Sequence, residues 1–270
     1  MVNFNVNGKI ALVTGGTRGL GLHCAEALVE NGAKTVIITS RKAKACEEAK
    51  VQLEELAKKK GNNQCEIISI PADLADEKQC EELFKKINEK IDKLDILVAN
   101  AGATWGAPLE DHSVSAVKKV LNLNVAAVYH SIQLSVPLLE KAATKEDPSR
   151  IIIMSSIISV LSNDSVGTYG YLASKAAVSH LGRNLAVQFA PRHINVNSIL
   201  PGFFPTKMAN GLIEVAGDMM RETNPRGRLG EKEDLQAALI FLCSKQANYI
   251  NAVELPVDGG AKNNSPASHF

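Results

Sequence analysis

Short, continuous apolar runs rich in β-branched residues alternate along this chain with longer stretches in which apolar residues recur every three or four positions. The short runs read as strands at Lys9–Thr14, Thr35–Thr39, Glu66–Ile70, Leu94–Ala99, Ile151–Met154 and Ile194–Ile199, with a seventh at Ala252–Val257. The longer stretches read as helices near 20–31, 42–60, 77–91, 113–142, 171–190 and 231–244. Strands apolar on both faces, each followed by a helix, predict a mostly parallel sheet covered on both sides. Right-handed crossovers then make it a doubly wound, Rossmann-type α/β fold of seven strands. No Pro/Gly/Ser-rich linker and no fixed-period repeat interrupts the pattern, so residues 1–270 are read as a single domain. The stretch from Asn263 onward is polar and reads as a loose tail.

Composition narrows the partners. Lys+Arg number 30 against 29 Asp+Glu, a net charge of +1, which gives no electrostatic footprint for nucleic acid or an anionic membrane. The five cysteines, Cys24, Cys46, Cys65, Cys80 and Cys243, are widely spread and form no C-x-x-C, which argues against a disulfide scaffold and a structural zinc site. None of the histidines pairs at metal-ligand spacing, so no metal is expected. No apolar run reaches the roughly 18 residues of a membrane span. The polar N-terminus lacks the apolar core of a signal peptide, and a cytoplasmic protein is the expectation.

The first strand runs into Thr14-Gly15-Gly16-Thr17-Arg18-Gly19-Leu20-Gly21, a G-x-x-x-G-x-G spacing before a helix. Gly15 lets the chain turn off the strand, Gly19 admits backbone close to a pyrophosphate, and Gly21 lets the helix sit against the sheet. The helix N-terminus then offers free N–H groups to phosphate.

Together with later segments, this turn resembles the single-domain short-chain dehydrogenases/reductases over about Gly8 to Gly260. Thr14–Gly21 matches the family's TGxxxGxG. Asn100-Ala101-Gly102 matches its NAG motif, with Ala99 where Asn is usual. Asn124 matches its helix asparagine, and Ser156, Tyr171 and Lys175 its Ser…Tyr-x-x-x-Lys. Pro201-Gly202 and the following Thr206 match the segment after its sixth strand, and Val257-Asp258-Gly259-Gly260 its late VDGG. Each motif alone is weak; their order carries the resemblance. Within the family, the segments 101–106, 194–197 and 201–205 are most similar to β-ketoacyl reductases of the rhamnolipid-pathway type.

The resemblance implies a nicotinamide cofactor held by Gly15, Thr17, Arg18, Gly19, Leu20 and Gly21, by Asp73 and Leu74, by Asn100, Ala101 and Gly102, by Tyr171 and Lys175, and by Pro201, Gly202, Phe204 and Thr206. Strand two ends Thr39-Ser40-Arg41-Lys42: Ser40 stands where NAD enzymes of this architecture carry an acid, and Arg41 and Arg18 can reach a 2′-phosphate. NADPH is therefore the expected cofactor. Asp73 has a second reading, as a cap for the helix near Asp76.

Reducing a ketone builds negative charge on oxygen, which calls for a proton donor and an orienting hydrogen bond. Tyr171 is the expected donor. Lys175, four residues on, projects from the same helix face and would lower the phenol pKa. Ser156, in preference to Ser155, would bond the substrate oxygen, and Asn124 would hold a water linking Lys175 to solvent. The Ser156–Tyr171 gap is longer than the family's usual spacing, so 157–170 reads as carrying an insertion. Residues 203–225 read as a substrate lid, mobile at roughly 209–223. Trp105, Ile158, Phe203, Met208 and Leu212, with Ser156 and Tyr171, would line an apolar pocket for a β-ketoacyl chain or a bulky aromatic ketone or diketone. Arg221, Arg226 and Arg228 could offer a basic patch to an acyl-carrier protein, or form a solvated loop. The helices near 113–142 and 171–190 fit the family's paired-helix dimer or a tetramer. Two other classes remain: a non-catalytic NADP(H)-binding redox sensor, and an extended-type epimerase or dehydratase. The retained Asn124, Ser156, Tyr171 and Lys175 speak against the first. The glycine spacing and the lack of an added domain speak against the second.

Overall fold

The computed structural model describes residues 3–161, 167–206 and 210–264, with the backbone alone at 210–216. Seven strands form one sheet in the order β3-β2-β1-β4-β5-β6-β7: β1 Ile10–Thr14, β2 Thr35–Thr39, β3 Glu66–Ser69, β4 Ile96–Ala99, β5 Ser149–Met154, β6 Ile194–Pro201 and β7 Glu254–Val257. Every neighbouring pair is parallel. The order reverses between β1 and β4, and a crevice for ligands opens at the carboxyl ends of strands at such a switch point.

The helices are α1 Gly19–Glu30, α2 Ala43–Lys59, α3 Glu77–Asn88, α4 Val114–Leu121, α5 Ala127–Ala142, α6 Tyr169–Phe189, α7 Asn210–Thr223 and α8 Lys232–Cys243. Alternate side chains of each strand feed two cores. Leu12, Ile37, Leu97 and Ile151 pack with Leu83, Phe84 and Ile132 on one face. Val13, Ile38, Val98 and Ile152 pack with Leu28, Leu53 and Leu239 on the other. Among the described residues, no helix is long and apolar enough to cross a membrane.

One expectation needs correction. The stretch 113–142 is not one regular helix: a π-helical turn at Asn122–Ala126 separates α4 from α5, with the Ala127 N–H bonding to the Asn122 carbonyl. Its apolar periodicity looks continuous because α4 and α5 both bury one face. Helix α7, which the expected helices did not include, lies within the stretch read as a substrate lid.

A fully buried arginine locks the amino end of β5. Arg150 donates to the carbonyls of Pro148, Leu242 and Ser244 and lies 3.6 Å from Asp147. Asp147 also takes Lys9 at 2.8 Å, and Lys9 reaches Asp95 at 3.7 Å, so two carboxylates answer the two cations.

Candidate active site

The glycine turn is welded to β4. Thr14 Oγ1 accepts from the backbone N–H groups of Asn100 and Ala101, each at 3.0 Å. The Asn100 side chain donates back to the carbonyls of Thr14 (2.8 Å) and Gly15 (3.3 Å). A Cβ on Gly21 would stand 2.2 Å from the Gly15 carbonyl oxygen and 2.4 Å from Asn100 Nδ2, so only glycine fits. Gly15 and Gly19 both take positive φ, 66° and 53°. Gly19 has only the Thr206 side chain near its missing Cβ, at 3.4 Å, which brings the 202–206 loop against the turn.

The N-terminus of α1 has no side-chain cap and no acid in its first turn. Its free N–H groups and positive dipole end therefore suit the pyrophosphate of a dinucleotide. Thr17 Oγ1 donates to Ser40 Oγ at 3.1 Å, joining the turn to the end of β2. Arg18 and Arg41 are exposed at these two places, and among the described residues neither has a carboxylate partner. A nucleotide bearing a 2′-phosphate fits this donor set.

Beyond β3, Asp73 folds its carboxylate onto the Ala75 N–H at 3.1 Å. The cap of α3 is Asp76, which accepts from Gln79 at 3.1 Å, so the capping alternative for Asp73 falls away. Leu74 is buried behind it.

Helix α6 delivers Tyr171 and Lys175 to the carboxyl end of β5. The Tyr171 hydroxyl stands beside the Ser156 side chain, and the Lys175 ammonium lies 5.6 Å from the Tyr171 ring centre. Lys175 Nζ donates to the Met154 carbonyl at 2.7 Å. Burial pulls the Lys175 pKa down to about 8. Burial pushes the Tyr171 phenol up, partly offset by the Ser156 bond. The expected depression of the phenol is thus not a property of the protein alone: loss of hydration outweighs an ammonium that bonds a carbonyl instead.

Ser155 and Ser156 separate cleanly. Ser155 Oγ bonds the Lys175 carbonyl at 3.1 Å and Ser179 Oγ at 2.8 Å, fastening β5 to α6. Ser156 faces the opposite way, towards Tyr171. Asn124, on the π turn, is 1% exposed. Its Oδ1 accepts from the Ala103 N–H at 2.8 Å, and its Nδ2 donates to the Ala103 carbonyl and Ser174 Oγ, both at 2.9 Å. Both amide protons are therefore committed to protein. A Cβ on Gly102 would lie 3.3 Å from Asn124 Oδ1 and 3.7 Å from Lys175 Nζ, so the three residues share one small space.

Pro201 ends β6, and Gly202 presses against Asp258, where a Cβ would sit 2.9 Å from the Asp258 backbone. Phe204 turns its ring into the core under Gly230, so any part it plays at the cofactor is through its backbone. Trp105, Val160 and Phe203 are 56%, 50% and 40% exposed, and Ile158 is half-buried. Met208 lies outside the described residues, as does the side chain of Leu212.

A tyrosine over a buried lysine, beside a serine and facing a phosphate-ready turn, is the arrangement of a carbonyl-reducing enzyme. A family profile described as enoyl-(acyl carrier protein) reductase matches residues 15–262. The chain belongs to the short-chain dehydrogenases/reductases. It is an oxidoreductase acting between CH–OH and C=O groups. The chain is 39% identical over 259 residues to a rhamnolipids biosynthesis 3-oxoacyl-[acyl-carrier-protein] reductase of Pseudomonas aeruginosa, covering 95% of this chain and 97% of the relative. It is 33% identical over 255 residues to a 3alpha-hydroxysteroid dehydrogenase of Mediterraneibacter gnavus, covering 94% and 98%. Among solved structures, the RhlG/NADP active-site complex of Pseudomonas aeruginosa superposes with a TM-score of 0.89 at 38% identity, covering 96% of this chain and 98% of that one. Levodione reductase superposes with a TM-score of 0.87 at 26% identity, covering 97% of this dehydrogenase/reductase and all of that chain.

Sequence spacing missed one cluster. Donor atoms of Glu77 and Glu81 on α3 and His130 on α5 lie within 4.8 Å of one another. The two helices are far apart in sequence, and nothing in the chain order signals that they meet.

Proposed function

We propose that this dehydrogenase/reductase is an NADPH-dependent ketoreductase that reduces a hydrophobic ketone to a secondary alcohol, with Tyr171 as proton donor. The juxtaposition of the Tyr171 hydroxyl and the Ser156 side chain, above a buried Lys175, carries the reading. Thr17, Arg18, Ser40 and Arg41 would hold the adenosine end of the cofactor, the N-terminus of α1 its pyrophosphate, and Lys175 its nicotinamide ribose. When bound, NADPH supplies the hydride.

The chain's own groups handle the proton. Ser156 and Tyr171 converge on one substrate oxygen and fix its orientation before charge develops. Tyr171 then gives its proton to that oxygen. The resulting phenolate is stabilised by the Lys175 ammonium, a charge pair that strengthens once substrate excludes water. Asn124 holds the Ala103 backbone and Ser174 in place around Lys175, and a relay water there would be held by main-chain oxygen. The apolar Trp105, Ile158 and Phe203 favour a β-ketoacyl chain or an aromatic ketone over a sugar.

All five cysteines are unpaired, which suits a reducing compartment, and we place the enzyme in the cytoplasm. Tyr129 on α5 and Val187 on α6, 47% and 72% exposed, support a dimer or tetramer through these helices.

The test is NADPH oxidation against a β-ketoester, an aromatic diketone and an aliphatic ketone, with NADH in parallel. Tyr171→Phe should lower kcat by about 10²–10⁴-fold while leaving NADPH binding intact. Tight NADPH binding with no turnover on any ketone would favour the redox sensor instead.

A further inference from the structure

We infer that the ketone reaches this site free in solution, across an apolar collar that carries two unpaired carboxylates, and not tethered to an acidic carrier protein. The inference rests on the ketoreductase reading above.

The approach to Tyr171 is bounded on one side by residues 105–112. Ala107 N–H bonds the Gly167 carbonyl at 3.3 Å, and the His112 ring meets the Tyr169 ring edge-on at 5.3 Å. Glu110 and Asp111 lie between these two contacts, so they stand beside the start of α6, two residues from Tyr171. Both are exposed, and among the described residues neither has a cationic partner. Around them the exposed surface is apolar: Trp105, Leu109, Val160 and Tyr169 are 56%, 65%, 50% and 37% exposed.

The opposite side holds the arginines that could have greeted an acidic partner. Two are already neutralised by their own chain. Arg228 makes a forked pair with Asp234, at 2.6 and 2.9 Å, and this holds the Asp234 carboxyl down at about 2. Arg221 bonds Asp218 at 2.6 Å. Of these three, Arg226 alone has no carboxylate partner among the described residues, and it lines a cavity of about 480 Å³ with Phe203, Leu229 and Asp258. Lys118 and Lys119 are exposed on α4, but that helix turns Val117 and Val120 towards Gly170, leaving the lysines on its outer side. Lys207 and Asp164, of opposite sign, lie outside the described residues.

An acidic carrier would therefore meet two uncompensated carboxylates beside the entrance. Rim charges of this kind act mainly on the encounter rate, over a screening length of about 8–10 Å. A free lipophilic ketone loses nothing to them and gains from the apolar collar.

The experiment compares kcat/KM for one β-ketoacyl group presented as a free ester, as an N-acetylcysteamine thioester, and on acyl-carrier protein, at low and high salt. The expected result is that both small forms outperform the carrier-borne one by at least about tenfold at low salt. In the double variant Glu110→Lys/Asp111→Lys, carrier-borne turnover should rise by about five- to tenfold at low salt, with the small substrates unchanged. A native preference for the carrier-borne ketone that weakens with salt would overturn the inference while leaving the reductase reading intact. So would a double variant that handles the carrier no better than the native enzyme. Failure of all three forms would instead strike at the reductase reading itself.

Discussion

Replacing Lys175 by methionine should stabilise the free protein at neutral pH while abolishing turnover. Lys175 is 6% exposed, and burial holds its pKa at about 8 against an ordinary 10.5. A base with a lowered folded pKa carries fewer protons folded than unfolded, so keeping it charged costs stability. The cost is fully present below pH about 8 and vanishes as pH rises towards 10.5. The difference of 2.5 between those two values corresponds to about 3 kcal/mol. Methionine fills the same space without charge but leaves the Met154 carbonyl without its 2.7 Å donor. That loss costs about 1–3 kcal/mol. Lys175→Met is therefore expected to be up to about 2 kcal/mol more stable at pH 7, and less stable than native above pH 10. The unfolding entropy of a chain this long is about 0.6 kcal/mol/K, so the swing of about 3 kcal/mol corresponds to about 5 °C in Tm. Scanning calorimetry of both proteins without cofactor, at pH 7 and pH 10, reads the difference directly. If the two Tm values stay equally far apart at both pH values, Lys175 is not a desolvated ammonium and the reasoning fails.

Other changes test other parts of the structure. Gly21→Ala places a methyl 2.2 Å from the Gly15 carbonyl; it should lower Tm by about 2–5 °C and weaken NADPH binding at least about tenfold, read by calorimetry and fluorescence titration. Ser40→Asp puts a carboxylate where Arg41 and Arg18 await a phosphate; the ratio of kcat/KM for NADPH over NADH should fall by about tenfold or more. Arg150→Met strips three carbonyls and Asp147 of a buried cation; a loss of about 3–5 kcal/mol, or about 5–9 °C, is expected, with kcat of the folded fraction unchanged.

The sheet was legible because strands buried on both faces read as mostly apolar, β-branched runs, and Ile10–Thr14 and Thr35–Thr39 emerge within a residue of the expected ends. The glycine turn was legible for a related reason: Gly15, Gly19 and Gly21 each answer a backbone or packing demand that no other residue meets. What escaped depends on contacts distant in sequence. The choice of Ser156 over the adjacent, chemically identical Ser155 came from the resemblance alone; its physical reason, the packing of α6 on β5 that turns Ser155 inward, could not be read from the chain. The pairing of Arg221 and Arg228 with Asp218 and Asp234 was hidden because a basic patch is a property of net local charge, not of arginines counted along the chain. Which of the two phenylalanines past β6 turns inward was not legible either, because the chain leaves the strand there and alternation no longer applies; Phe204 is the buried one.

The π turn at Asn122–Ala126 amounts to one residue more than a regular helix would use for the same rise. Each helical residue advances the winding by about 100°, so everything from Ala127 onward is rotated by that angle relative to an uninterrupted continuation of α4. Asn124 faces Lys175 on the near side of the extra residue, while the packing of Val128, Ile132 and Leu139 is set on the far side. The segment is thus intolerant of length change in a way that its composition conceals. Losing one residue would restore a regular helix, yet either the asparagine or the core face would have to leave its place.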